Sequence, residues 1–237
     1  MGLKDTIIEH WGTIDYQQAW DRQTLIQKAI IDKKLKRDPS LWSGPNHLIF
    51  CQHPKVFTLG RSGKESNLLI NEALLEANQI QFYKINRGGD ITYHGPGQIV
   101  LYPILDMELF FTDVHKYVRK LEGIIIAVLQ EYNIEAYRNP AYTGVWLSSR
   151  TNHQPKKICA IGVHMSRWVT LHGLAFNVQL DLSPFDFIVP CGIRDPGMGV
   201  TSLDQETDMP IDFGSIESRI KHYFATEFEC DFIPPYD

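Results

Sequence analysis

A cysteine, a pair of lysines and a glycine-rich stretch carry the chemistry that this sequence offers. Cys191 lies in Ile188-Val189-Pro190-Cys191-Gly192, where proline before and glycine after mark a backbone turn that exposes a thiol. A nucleophilic cysteine also needs an electropositive neighbour, because the thiolate reacts and an unassisted thiol, with a pKa of about 8.5, is mostly protonated at neutral pH. Lys156 and Lys157 have the right residue type, but a long stretch of chain separates them from the turn and spacing alone does not join them. On pattern alone, a structural thiol explains Cys191 more readily than a catalytic one.

The glycine-rich stretch is Arg87-Gly88-Gly89-Asp90-Ile91-Thr92-Tyr93-His94-Gly95-Pro96-Gly97-Gln98. Its glycines let the backbone take positive φ values and let a ligand approach the main chain. An ordinary tight turn would do the same, yet Arg87, Asp90, Thr92 and His94 bring more polar chemistry than closing a hairpin needs. The stretch lacks both the G-K-[ST] of a Walker A loop and the G-x-G-x-x-G order of a dinucleotide turn. After Lys156-Lys157, the strand Ile158-Cys159-Ala160-Ile161-Gly162 alternates its faces, with Ile158, Ala160 and Gly162 on one and Lys157, Cys159 and Ile161 on the other. Ala160 and Gly162 leave room beside the sheet, and Cys159 reads as a small packing hydrophobe.

The elements that must hold these residues are read from periodicity. Helices are predicted at about 16–36, 112–132 and 215–229, with a short turn of helix after Asn71. The 112–132 helix is the clearest, with Tyr117, Leu121, Ile125 and Val128 on one stripe and Thr112 as N-cap. Strands are predicted at 47–53, 56–59, 81–86, 99–104, 144–148, 156–166 and 169–180, the last two joined through Arg167 and Trp168 as an antiparallel hairpin. Strands grouped between a few helices, without βαβ alternation, predict an α+β fold in one domain spanning 1–237, with Asp38 to Asn46 a loop too short to divide it.

The chain has 237 residues with 23 Lys+Arg against 28 Asp+Glu, so it can build a core without disulfide or metal staples and has no broad field for nucleic acid or anionic lipid. Four cysteines, at 51, 159, 191 and 230, fit no zinc spacing and no disulfide framework, which points to free thiols in a reducing, cytoplasmic compartment. No signal peptide or membrane-spanning run is apparent. No metal and no cofactor is expected.

Three stretches in order, RGGDITYHGPGQIVLYPI at 87–104, KICAIGVHMSRWVTLHGLAFNVQLDLSPFDFIVPCGI at 157–193 and GVTSL at 199–203, resemble the lipoyl(octanoyl) transferases. The stretches Ile14-Asp15-Tyr16 and His53 to Arg61 extend the likeness to about residues 11–205. The resemblance implies a fold related to the biotin and lipoate protein ligase catalytic domains, a mixed, largely antiparallel sheet flanked by helices. It implies an acyltransferase that takes octanoyl from acyl carrier protein and passes it to a lysine of a lipoyl domain. Acceptors would be the lipoyl domains of 2-oxoacid dehydrogenases and the glycine cleavage H protein, and the reaction would be the first step of protein lipoylation.

By the same resemblance the acyl-accepting cysteine falls on Cys191 and its lysine on Lys157, with His94 as a further relay or orienting group. Substrate contacts fall on Arg87 to His94 (Arg87, Gly88, Gly89, Asp90, Ile91, Thr92, Tyr93, His94), on Ala160, Ile161 and Gly162, and on Gly173, Leu174 and Ala175. The glycine-rich turns would supply oxyanion donors. Cys159 stands where the family more often has alanine, Leu101 where a small residue is common and Phe176 where leucine is usual, so either of the last two would reshape the acyl pocket. Rival readings are an ATP-dependent lipoate or biotin ligase, which needs no cysteine, a non-catalytic lipoyl-domain or acyl-carrier binder, and a cysteine hydrolase using Cys191 and His94.

Overall fold

The computed structural model describes residues 4–36, 45–193, 195 and 197–234, so most of the loop read at Asp38 to Asn46 lies outside the described residues. In chain order the elements are β1 (Thr6–Thr13), α1 (Tyr16–Leu35), β2 (Asn46–Gln52), β3 (Val56–Leu59), α2 (Glu72–Ala77), β4 (Gln81–Lys84), β5 (Ile91–His94) and β6 (Gln98–Ile104). They continue with α3 (Val114–Gln130), β7 (Ala136–Arg138), β8 (Val145–Ser148), β9 (Pro155–Ser166), β10 (Val169–Asn177), β11 (Gly199–Val200), α4 (Leu203–Glu206), α5 (Phe213–Phe228) and β12 (Phe232–Ile233).

The helices form where expected, but their caps differ. Asp113, not Thr112, caps α3, its carboxylate accepting from Lys116 N at 2.9 Å. Asp212 does the same for Ser215 N at 2.8 Å, so α5 begins at Phe213. A carboxylate one residue after Thr112, or three before Ser215, takes the cap because it also meets the positive end of the helix.

A large mixed sheet runs β12-β1-β2-β6-β10-β9-β8-β7, with β11 added beside β9. The β1–β2 and β1–β12 pairs are parallel, while β2–β6, β6–β10, β10–β9, β9–β8 and β8–β7 are antiparallel. The β9–β10 hairpin turns at Arg167 and Trp168, both with positive φ, as expected for a two-residue connection. A second sheet, β4-β3-β5, contains a strand inside the glycine-rich stretch, Ile91–His94, where only a loop was expected.

One face of the large sheet carries the main apolar core. Leu48, Phe50, Ile99, Leu101, Ile158 and Phe176 pack there against Leu121, Ile125 and Val128 of α3 and Ile220 and Phe224 of α5. The other face is shared by α1 and the small sheet. Val100, Ile104, Leu171 and Ala175 meet Ala19 and Ile30 of α1. Here α1 also buries two glutamines, Gln23 and Gln27. His172 adopts φ 61° within β10, and its N–H is taken up by Gln23 Oε1 at 3.0 Å, while Gln27 Nε2 donates to Val169 O at 2.8 Å. Buried amides on this helix therefore answer an irregular strand. Among the described residues no helix is long and apolar enough to cross a membrane.

Candidate active site

Strict alternation would leave Lys157 and Ala160 on opposite faces of β9. The observed register runs Val145 to Cys159 and then Trp146 to Lys157, so Ile158 is an extra residue in a β-bulge. Ile158 and Cys159 both enter the α3/α5 core, and Lys157 is turned onto the face that carries Ala160 and Gly162. This corrects the sequence-based alternation, which grouped Lys157 with Cys159.

Cys191 is delivered from the other side by a turn after β10. Leu69 N donates to Phe187 O and Val189 N to Asn67 O, both at 2.8 Å, pinning the chain just before it. Cys191 has φ 55° and Gly192 φ 69°. A Cβ at Gly192 would also lie 2.7 Å from Asp90 Oδ2, so only glycine fits beside that carboxylate. Asp90 is itself fixed, accepting from Ile91 N at 2.6 Å and Asn67 Nδ2 at 2.7 Å.

The two elements bring Lys157 Nζ to 2.9 Å from Cys191 Sγ, with the ammonium donating. Lys157 is 6% exposed and forms no ion pair with a carboxylate among the described residues. Its Nζ stands 5.0 Å from the ring centroid of Trp146, whose face supports a cation. A buried ammonium whose polar partner is a thiol stabilises the thiolate, which is the nucleophilic form. Cys191 is partly exposed while Cys51, Cys159 and Cys230 are buried. Burial pushes the Cys159 and Cys51 thiols up, so neither competes as a nucleophile.

Both dyad residues line a cavity of about 350 Å³ on the α1 face. Ala160, Gly162, Gly173 and Ala175 form its floor, with Ile161 and Leu174 beside them; at Gly162 and Gly173 a Cβ would run into the main chain at Gly88 and Leu101. From the glycine-rich stretch Arg87, Gly89, Asp90, Thr92 and His94 line it, whereas Ile91 and Tyr93 point the other way, into the small-sheet core. That division follows the alternation of β5. Gly88 is absent from the lining and spends its N–H on Val163 O at 2.9 Å. The N–H groups of Gly97 and Gly192 are likewise committed, to Gln52 Oε1 and Val189 O, both at 2.9 Å, so these three glycines offer no free oxyanion donor. A smaller chamber of about 30 Å³, bordered by Trp146, Phe185, Ile193 and Met198, meets the first at Cys191 and Lys157.

Arg87 is buried, donating through Nη2 to Thr58 O (2.6 Å) and Thr58 Oγ1 (2.9 Å) and through Nη1 to Gly88 O (3.0 Å). It braces the glycine-rich stretch against β3. His94 Nδ1 lies 2.8 Å from Gln98 Oε1. Since Gln98 Nε2 donates to Tyr93 O and Asn177 Oδ1, Oε1 is an acceptor and His94 carries its proton on Nδ1. Its Nε2 is 3.4 Å from Thr58 Oγ1. Burial, then the neighbouring His53, pushes the His94 pKa down to about 3.

Among the residues of the wall that sequence reasoning missed are Tyr16, Tyr102, Tyr142 and His172. Tyr16 begins α1 and Tyr102 sits mid-strand, where each looks like any apolar periodic residue. His172 carried a usable signal, standing directly before the small Gly173. Leu101 and Phe176, expected to reshape the acyl pocket, belong to the α3/α5 core and line neither chamber.

Comparison with known proteins places the chain in a family. The model of the lipoyl protein ligase A/B catalytic domain matches residues 15–225. An octanoyltransferase of Cytophaga hutchinsonii is 50% identical, covering 95% of this chain and 93% of its own length. Another of Flavobacterium johnsoniae is also 50% identical, covering 95% and 97%. Among solved structures, a bipartite lipoate protein ligase of Thermoplasma acidophilum, solved with its E2 lipoyl domain, superposes with a TM-score of 0.72 at 14% identity, over 98% of this chain and 87% of that one. The α+β fold is thus that of a lipoyl-ligase-like domain, and the chain belongs to the octanoyltransferase family within the lipoyl protein ligase A/B catalytic domains.

Proposed function

We propose that the protein moves an octanoyl group from the phosphopantetheine thioester of acyl carrier protein to Cys191, and from there to a lysine of a lipoyl domain. The observation that carries this reading is the buried Lys157 ammonium, 2.9 Å from the Cys191 sulfur and without a carboxylate partner among the described residues. In the first step the Cys191 thiolate attacks the thioester carbonyl, and the carrier's thiol leaves with a proton from Lys157. In the second, the acceptor lysine amine attacks the acyl-Cys191 carbonyl and gives a proton back to Lys157, while Cys191 leaves as thiolate. One thioester is exchanged for another, so acyl activation is retained and no ATP is needed.

The acyl chain fits along the small-residue floor of Ala160, Gly162, Gly173 and Ala175. Burying eight carbons is worth up to about 6 kcal/mol at ~0.8 kcal/mol per CH₂. His94 acts by position: a histidine held at about 3 stays neutral at working pH, and its hydrogen bond to Gln98 fixes the wall at Thr92 and His94. Free thiols at the centre of the reaction suit a reducing cytoplasm.

The test is intact-mass analysis after mixing with octanoyl-acyl carrier protein. One octanoyl adduct is expected on Cys191, none in Cys191→Ala, and transfer to a lipoyl domain without ATP. An adduct on Cys159, or transfer retained in Cys191→Ala, would overturn the mechanism, and a requirement for ATP would support the ligase reading instead.

A further inference from the structure

The main cavity reaches solvent where Ser62, Ala141 and Thr143 line it and are also exposed. Arg61 borders Ser62 on this rim, and His164 of β9 comes up beside it. Main-chain hydrogen bonds build that juxtaposition: Arg61 N donates to Arg87 O at 3.0 Å, Ser62 N to Gly89 O at 3.3 Å, and Gly88 N to Val163 O at 2.9 Å. The 61–62 turn and the Val163–His164 segment therefore grip the same three residues, Arg87 to Gly89, of which Arg87 and Gly89 also line the cavity.

Arg61 is exposed and His164 partly so, and neither forms an ion pair with a carboxylate among the described residues. Three other basic residues are neutralised by carboxylates. Lys84 meets Glu65 at 2.7 Å, Arg150 meets Asp208, and Arg219 meets Glu131 at 2.5 Å. The two rim groups also repel each other: after burial, the charge of Arg61 is what lowers the His164 pKa. A guanidinium and an imidazole N–H held together and left without a carboxylate form a site that an external anion satisfies.

We propose that Arg61 and His164 anchor the phosphodiester of the phosphopantetheine arm whose thioester end reaches Cys191. This rests on the carrier-borne donor proposed above. The arm has its only anion far from its thioester, so an anion site belongs on the rim and not beside the nucleophile. Deeper in, the Asp90 carboxylate lies against Gly192 and repels the phosphate, which leaves the uncharged thioester end free to enter. The planar guanidinium of Arg61 matches two phosphate oxygens, and the ring N–H of His164 adds a third donor.

The experiment compares acylation of Cys191, read by intact mass, from two small donors: octanoyl-4′-phosphopantetheine and octanoyl-pantetheine, which lacks the phosphate. The parent protein should prefer the phosphorylated donor by about tenfold or more in apparent affinity, the worth of one or two charge-assisted hydrogen bonds. Arg61→Ala combined with His164→Ala should collapse that ratio, and His164→Arg should retain it. Equal acylation by both donors in the parent, or a ratio that persists in the double variant, overturns the proposal. So does a defect confined to the intact carrier protein, which would assign the rim to carboxylates on the carrier surface. Absence of acylation from either donor would remove the thioester reading itself, and is distinct from equal acylation by both.

Discussion

At the scale of single residues, burial and a neighbouring lysine set the proposed nucleophile, Cys191, apart from the other three thiols. Cys191 alone is partly exposed and alone sits on an ammonium, so brief treatment of the native protein with iodoacetamide should add one label, at Cys191. Replacing Lys157 with methionine keeps the side-chain volume and removes the charge. We expect alkylation of Cys191 at neutral pH to slow by about tenfold, and acyl transfer to fall by about 10²–10⁴, the usual range for losing a positioned proton donor and acceptor. Unchanged alkylation in Lys157→Met would contradict the thiolate role. Cys159→Ala should leave transfer intact, because that sulfur faces the core and donates to Ala160 O at 3.6 Å.

At the scale of elements, two local irregularities assemble the dyad: the bulge at Ile158, which turns Lys157 over, and the pair of left-handed residues Cys191 and Gly192. Gly192→Ala would force a Cβ into positive φ and toward Asp90 Oδ2, at a cost of about 1–2 kcal/mol. Urea unfolding should record that loss, and kinetics should show a larger fall in kcat than in substrate affinity, since the displaced atom is the nucleophile's neighbour. These irregularities mark where sequence reading stopped. Helices α1, α3 and α5, the β9–β10 hairpin and the Pro190-Cys191-Gly192 turn are legible because periodicity and turn chemistry are local. The bulge is invisible because it depends on register with β8, and β5 was hidden because its glycine neighbours look like loop. The contact between Lys157 and Cys191 joins residues on separate elements, which no spacing rule measures.

At the scale of the whole molecule, three buried histidines make stability depend on pH. Burial pushes His53 down to about 4, and His94 and His172 to about 3. Each has an ordinary value near 6.5 when unfolded, so as pH falls below that value the unfolded chain takes up protons that the folded chain refuses. Their contribution is therefore fully present above about pH 6.5 and is lost as pH falls toward 4, with a slope of up to about 4 kcal/mol per pH unit when all three titrate. Urea midpoints measured from pH 7 to pH 5 should drop steadily, and a flat profile would contradict the neutral assignment. The large sheet also sorts its duties by face. The dyad and its cavity occupy the α1 side, while Leu101, Phe176 and the α3/α5 residues fill the other. Mutational drift on that second face should therefore change how long the enzyme survives heat without changing what it does. Phe176→Leu is expected to lower Tm and leave kcat/KM within about twofold. A lineage could thus retune its thermal tolerance on one side of a single sheet while selection holds the chemistry constant on the other.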